Sequence, residues 1–373
     1  MSKLAKVILI FCKCKFDFKI IKKKKLLIFD TLFLDFVGKT KKFEILDIRY
    51  EVFNFWLLLE NFLHLKFTFK DYILTFISKV NPKVVLTFND NCLLFYELKN
   101  YFPKVKFIAV QNGYRHKYQS DVFKKHKNKR LFADYLFTFG KNSEIFYKKC
   151  LIKCNNFINL GSFRNNLGSF RNNNIKLKKS LEKKNILFIS QFRSENMRKN
   201  DDFNVESQII KIINIFCEKK KIKLFLAISS RKNYLEEKNF LLSKLPEKHN
   251  VRTIRKKGRF DNYSLVNKFE TIVFADSTLG YEAIARKKKI VAISCRKEKG
   301  KTIAPFGFPT IKSNKAFFFT NFGTKKEIFR VLNNVYSLPQ KKWLKNYQEK
   351  LNVFMNFNKD NIKFEKVINK LIN

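Results

Sequence analysis

"ETIVFADSTLGYEAIARKKKIVAIS", residues 270–294, decides how this chain is read. An apolar, β-branched run at 271–275 passes through Asp276, Ser277, Thr278, Leu279 and Gly280 into a helix start, and a second apolar run closes the stretch at 289–294. Strand, helix and strand at this spacing form one unit of a parallel sheet. At such a junction the first N–H groups of the helix lack intrahelical partners and point beyond the strand end, so the turn can hold an anion. Asp276 or Ser277 can cap the helix, the backbone of Thr278 to Gly280 can face a phosphate, and Gly280 allows a close approach. Glu282, about one turn in, can accept both hydroxyls of a ribose; the plainer reading is an acid that complements the helix dipole.

The same alternation runs through the chain. Strands are expected at 6–11, 26–30, 43–48, 83–88, 106–110 and 134–139 in the first half. In the second half they are expected at 185–190, 223–229, 251–256, 271–276, 289–294 and 316–320. Helical spacing fits 52–80, 91–101 and 141–150, then 204–220, 233–245, 261–269, 278–287, 324–336 and 340–356. Between the halves, "GSFRNNL" (161–167) is followed at once by "GSFRNN" (168–173), a tandem copy in a Gly- and Asn-rich stretch that breaks both periodicities. The pattern predicts an α/β chain with two Rossmann-like parallel-sheet domains facing each other across a cleft. Their limits are 1–160 and 185–340, with a linker at 161–184 and C-terminal helices at 341–373.

At 373 residues the chain exceeds the usual span of a single core, and 45% hydrophobic residues supply two. The 78 Lys and Arg against 31 Asp and Glu leave a formal charge of +47. Two readings of that charge stand: A/T-rich codon usage, since Lys, Asn, Ile and Phe are abundant together, and contact with an anionic membrane face. Nucleic acid is disfavoured, because no RNP-type motif, zinc finger or helix-turn-helix signature is present. The seven cysteines show neither a disulfide rhythm nor zinc spacing and are expected to be reduced thiols. The apolar stretch near the N-terminus is short and ends in lysines without a cleavage site, so it reads as a strand and the protein as cytoplasmic, at most peripheral to the inner membrane face.

Ligands of parallel sheets bind beyond the carboxyl ends of the strands, and polar residues cluster there. Gln191 and Arg193 follow one strand, and Ser229 and Arg231 follow the next; the arginines suit a diphosphate, which a guanidinium grips bidentately. In the first half, Asn89-Asp90-Asn91 and the run from Gln111 to His116 end two strands. Asp90 and His116 are the candidate general bases, against the plainer readings of a turn-stabilising Asp and an exposed His. No Walker A motif, GxGxxG, HExxH, GxSxG or DxD pair occurs, so no metal site is expected, and a diphosphate would be neutralised by arginines and helix N-termini.

The segment "DSTLGYEAIARKKKIVAIS" resembles the donor-site segment of GT-B glycosyltransferases and related nucleotide-sugar enzymes. With "FNDNCLLFYELKNYFPKVKFIAVQNGYR" (88–115), "GSFRNN" and "NILFISQFR" (185–193), it is similar to bacterial surface carbohydrate biosynthesis proteins of the transferase type. The resemblance spans roughly residues 80–300. It implies a GT-B fold and sugar transfer from a nucleotide-sugar donor, a substrate rather than a cofactor, to a carbohydrate or lipid-linked acceptor. A nucleotide-sugar 2-epimerase, a polyol-phosphate transferase and a noncatalytic sugar-nucleotide-binding or assembly protein are the alternatives. One departure concerns the loop after the donor helix, where Lys287 stands in place of the family's glycine.

Overall fold

The computed structural model describes residues 14–31, 42–48, 52–126, 128, 130–168, 184–191, 204–229, 233–247, 249–255 and 261–373. The strand expected at 6–11, the residues Arg193 and Arg231, and most of the second GSFRNN copy lie outside them. Among the described residues two six-stranded, all-parallel sheets dominate. The first runs in the spatial order Phe43–Leu46, Leu26–Phe29, Val84–Thr87, Lys106–Val110, Phe132–Thr138, Lys153–Asn159. The second runs Val251–Ile254, Leu224–Ala227, Ile186–Ile189, Thr271–Phe274, Lys289–Ile293, Phe319–Thr320. Most of the inner strands are buried along their whole length, which is why they read as unbroken apolar runs.

Three local expectations change. The helix expected over 52–80 is a short strand, Val52–Asn54, and two helices, Phe55–Leu63 and Phe69–Val80. The second helix starts afresh because Thr68 and Asp71 form a reciprocal capping box. Lys153–Asn159, not expected as a strand, is the edge of the first sheet, and its Asn-rich, part-exposed sequence lacks the apolar run of a covered strand. The helix Lys117–Lys124 also escaped the periodicity, since it buries only Ser120 and Phe123. No helix among the described residues is long and apolar enough to cross a membrane.

The chain does not finish on the second sheet. After helix Gln340–Asn352 it crosses back, and helix Ile362–Ile372 sets Phe364 and Ile368 into the core beneath Leu26, Ile28, Val84, Leu86, Ile108 and Val110. Phe364 meets Phe88, Phe137 and Phe163 at ring-centroid distances of 6.1, 5.3 and 5.0 Å. The crossing requires close backbone contact. A Cβ on Gly140 would lie 2.4 Å from the Val353 carbonyl oxygen, and one on Gly161 (φ +84°) would lie 2.2 Å from that of Asn356. Tyr114 and Phe139 of the first half join the core of the second, so the two halves share apolar surface as well as chain.

Phe364→Ala should destabilise the protein by about 3–5 kcal/mol, the usual cost of truncating a fully buried Phe. A urea titration followed by circular dichroism reads this as a lowered midpoint, although Phe364 lies more than 250 residues in sequence from the strand residues Leu26 to Val110 that it covers.

Candidate functional site

Numbered along the chain, the strands of the second sheet lie in the order 3-2-1-4-5-6, with the reversal between Ile186–Ile189 and Thr271–Phe274. The crevice outside the carboxyl ends at such a reversal is where doubly wound sheets take ligands. Gln191 stands at the end of one of these strands, and Asp276, Ser277 and Thr278 follow the other. Helix Thr278–Ala285 therefore begins at the switch point. The first sheet reverses between Leu26–Phe29 and Val84–Thr87, and there Asn89 donates from Nδ2 to Asp30 Oδ2 at 3.0 Å.

The two rims meet. Thr278 Oγ1 accepts from the Tyr114 backbone N–H at 3.0 Å, and His116 Nε2 lies 3.0 Å from the Asp276 carbonyl oxygen. A carbonyl can only accept, so Nε2 carries the ring proton. Tyr114 and Tyr281 stack at 3.4 Å between centroids, and Asn142 donates to both Tyr114 Oη (2.7 Å) and the Phe308 carbonyl (2.8 Å). Beside this junction, helix Lys117–Lys124 and the hairpin Lys297–Glu298/Lys301–Thr302 enclose a cleft of about 480 Å³. Lys117, Lys125, Lys299 and Lys301 line it against Asp121 and Glu298.

Several predicted roles change at this point. The Asp276 carboxylate does not cap the helix. It is buried and accepts from Arg296 Nε and Nη2, each at 3.2 Å, while Arg296 also pairs with Glu206. Ser277 holds the N-cap position, but its hydroxyl makes no capping bond; its carbonyl accepts from the Gly280 N–H at 3.0 Å. Gly280 serves packing rather than phosphate approach, since a Cβ there would fall 2.1 Å from the Phe274 ring. Ser229 and Ser190 both donate to the buried Glu237, which ties two adjacent strand ends together; Ser229 Oγ does so at 2.9 Å. Lys287 adopts φ +58° in a Schellman turn, with Lys288 N–H to Ala283 O at 3.1 Å and Lys287 N–H to Ile284 O at 2.9 Å. A lysine thus occupies the left-handed position that glycine takes with least strain, which is the physical sense of the sequence departure.

Asp90 is not disposed as a base. Its carboxylate is fully buried and accepts from Arg115 Nε at 2.7 Å, Arg115 Nη2, the Tyr147 hydroxyl and the Asn112 N–H at 2.9 Å. Its acceptor capacity goes to shaping the 111–116 loop. His116 is buried as the N-cap of helix Lys117–Lys124, with its N–H donating to Gln119 Oε1 at 2.7 Å. Asp30, the last residue of the strand expected at 26–30, is buried at the first switch point with φ +83°. Strained non-glycine backbone of this kind gathers at functional sites. The available signal was positional: an acid directly after an apolar run, as Asp276 follows its own.

Glu282 ties the hinge. Its Oε1 accepts from Ser162 of the first GSFRNN copy and from Tyr263 Oη at 3.2 Å, while Arg286 reaches Asn165 of the same copy at 2.6 Å. The duplication is thereby resolved at this contact, because the first copy makes it. Burial pushes the Glu282 carboxyl above its ordinary range, opposed by the Ser162 hydrogen bond and the nearby Arg164.

A two-sheet chain of this topology, with facing carboxyl rims and a returning C-terminal helix, has the GT-B fold. Solved structures agree. UDP-GlcNAc 2-epimerase from Methanocaldococcus jannaschii matches with a TM-score of 0.56 at 16% identity, covering 94% of this chain and 99% of that one. The enzyme from Neisseria meningitidis matches at 0.52 and 15%, covering 94% and 100%. The S. aureus MnaA–UDP co-structure matches at 0.51 and 17%, covering 94% and 96%. No curated protein matches. Residues 108–372 match the family described as "putative O-antigen biosynthesis protein", and the chain belongs to that family.

Two outcomes follow. Asp90→Asn leaves Arg115 buried beside a neutral partner and should cost about 3–5 kcal/mol, seen as a lowered melting temperature; a purely catalytic Asp90 would leave melting unchanged. Glu282 has a folded-state pKa above its unfolded value, so its protonated form stabilises the fold fully below about pH 4.5, and that contribution is lost as pH rises through the folded pKa. Glu282→Gln should therefore melt higher than the native protein at pH 8, with the difference shrinking towards pH 4.5.

Proposed function

We propose that the protein is a transferase of surface-carbohydrate biosynthesis that moves a glycosyl group from a nucleotide-activated donor to an acceptor held by the first domain. The observation that carries this reading is the apposition of the two strand-end loops, 111–116 against 276–278, at the rims of two parallel sheets. That apposition supports a second-domain ligand at the switch point lying within reach of an acceptor on the first domain. The donor diphosphate would lie on the N-terminus of helix Thr278–Ala285, with the cleft lysines and with Arg193 and Arg231, which follow the neighbouring strands in sequence. Ser277 and Gln191 border that position. Glu282 already receives two hydroxyls, from Ser162 and Tyr263, in the manner of a carboxylate that accepts the diol of a ribose.

On the acceptor side, Asp30 and Asn89 replace Asp90 as the groups at the switch point. His116 spans the two rims and would set their approach rather than act alone. Catalysis would come mainly from holding donor and acceptor in line and stabilising the departing diphosphate.

A thermal-shift series with UDP, GDP, CDP, TDP and CMP tests the donor site. One nucleotide should raise the melting temperature, by the equivalent of about 2.7 kcal/mol at a hundred times its Kd, and Glu282→Ala should remove the effect. Turnover then separates the chemistries. Acceptor-dependent release of nucleotide, lost in Asp30→Asn with nucleotide binding intact, supports transfer. An altered sugar formed without any acceptor means epimerisation instead, and stabilisation by no nucleotide ends the reading.

A further inference from the structure

We propose that the outer edge of the first domain, built on helix Phe55–Leu63, docks on an anionic lipid surface. This surface is separate from the cleft and does not depend on the function assigned there.

The helix is inverted with respect to its surroundings. Its exposed apolar residues Phe55, Trp56, Leu59, Phe62 and Leu63 fall within about 120° of arc at the ~100° per residue of an α-helix. The buried side holds Leu57 and Asn61, whose Oδ1 accepts from the Thr75 hydroxyl at 2.8 Å. A helix that packs on a core in water ordinarily does the reverse. Exposure is substantial: Trp56 is 51% exposed, Phe62 64% and Leu63 71%.

Neighbouring elements continue the apolar face. Phe18 lies 5.1 Å from Phe55 between ring centroids, and its carbonyl accepts from Trp56 Nε1 at 2.8 Å, which holds the indole in place. Phe67 lies 5.9 Å from Phe62, and Phe16, Ile20 and Leu65 are exposed alongside. A contiguous apolar face of this extent marks a binding site on a soluble surface.

Charge selects the occupant. Lys15 and Lys19 are exposed in the segment that carries Phe16 and Phe18, and Lys66 in the turn that carries Leu65 and Phe67. Glu60 on the same helix is paired with Lys79 at 3.0 Å. Aromatic and leucine side chains ringed by lysines match the boundary between anionic headgroups and acyl chains, where apolar burial and attraction to negative lipid add.

The full chain mixed with vesicles of phosphatidylcholine, with or without phosphatidylglycerol, tests this. Only two tryptophans are present, and Trp343 is buried, so Trp56 reports the contact. Cosedimentation with phosphatidylglycerol vesicles and a blue shift of Trp56 emission are expected, at least tenfold weaker with phosphatidylcholine alone and weakened by salt. The pair Phe62→Asp and Leu63→Asp should reduce binding at least tenfold with the melting temperature unchanged. If that variant fails to fold, Lys15→Glu, Lys19→Glu and Lys66→Glu together should abolish the preference for anionic vesicles. Absence of vesicle binding overturns the proposal, as does equal binding to both lipids. So does a concentration-dependent dimer in sedimentation equilibrium that the Phe62 and Leu63 changes dissociate, since a second copy would then own this face.

Discussion

Everything in the molecule depends on one close backbone crossing. The segment after helix Gln340–Asn352 lies directly on Gly140 and Gly161, with the Asn356 N–H donating to the Phe139 carbonyl at 2.7 Å. Any side chain at either glycine would drive it away. Because the segment carries Phe354 and Met355 into the second core and Phe364 into the first, this contact ties the two hydrophobic cores together, alongside Tyr114 and Phe139, which reach from the first half into the second core. The facing of the two carboxyl rims is a consequence, and so is the cleft.

Within that frame, charge and hydrogen bonding divide the work. The buried ion pairs Asp90–Arg115 and Asp276–Arg296–Glu206 each lie inside one half, where a fixed partner offsets the cost of removing charges from water. Across the rims the contacts are hydroxyls, amides, a ring stack and the Nε2–H of His116. Contacts of this kind are individually modest and can be exchanged for those of a ligand without stranding a buried charge. Glu282 is the exception, since its carboxyl reaches from helix Thr278–Ala285 to Ser162 after the first sheet. That ties the helix at the switch point to the segment that follows the last strand of the first sheet.

The large positive charge acquires a geography in the same way. Scattered along the sequence, the lysines carry no pattern, and codon usage is enough to account for their number. In three dimensions some of them line the interdomain cleft, where anions would collect, and others are exposed in the segments that carry the apolar face of the first domain. The field of a protein acts through such local concentrations more than through its total.

Covered parallel strands are apolar over their whole length, so the alternation of such runs with amphipathic segments showed the α/β class and two sheets in the residues alone. The strand-to-helix junction at 271–285 was legible because its polar turn breaks that regularity. The edge strand Lys153–Asn159 was not, because an edge has no such run. The departure at Lys287 was visible as a letter, and only its φ of +58° gave it meaning. Asp90, Asp276 and Asp30 are alike in sequence, each an acid near a strand end, and folding makes them different. Arg115, 25 residues away, takes up the first, Arg296 takes up the second, and Asn89 meets the third at the switch point. Sequence by itself determined the periodic, local properties: element type, sheet class and the kind of junction that can hold an anion. Only the tertiary structure decided which charged groups are buried partners and which border a site, because that depends on contacts between residues far apart in the chain.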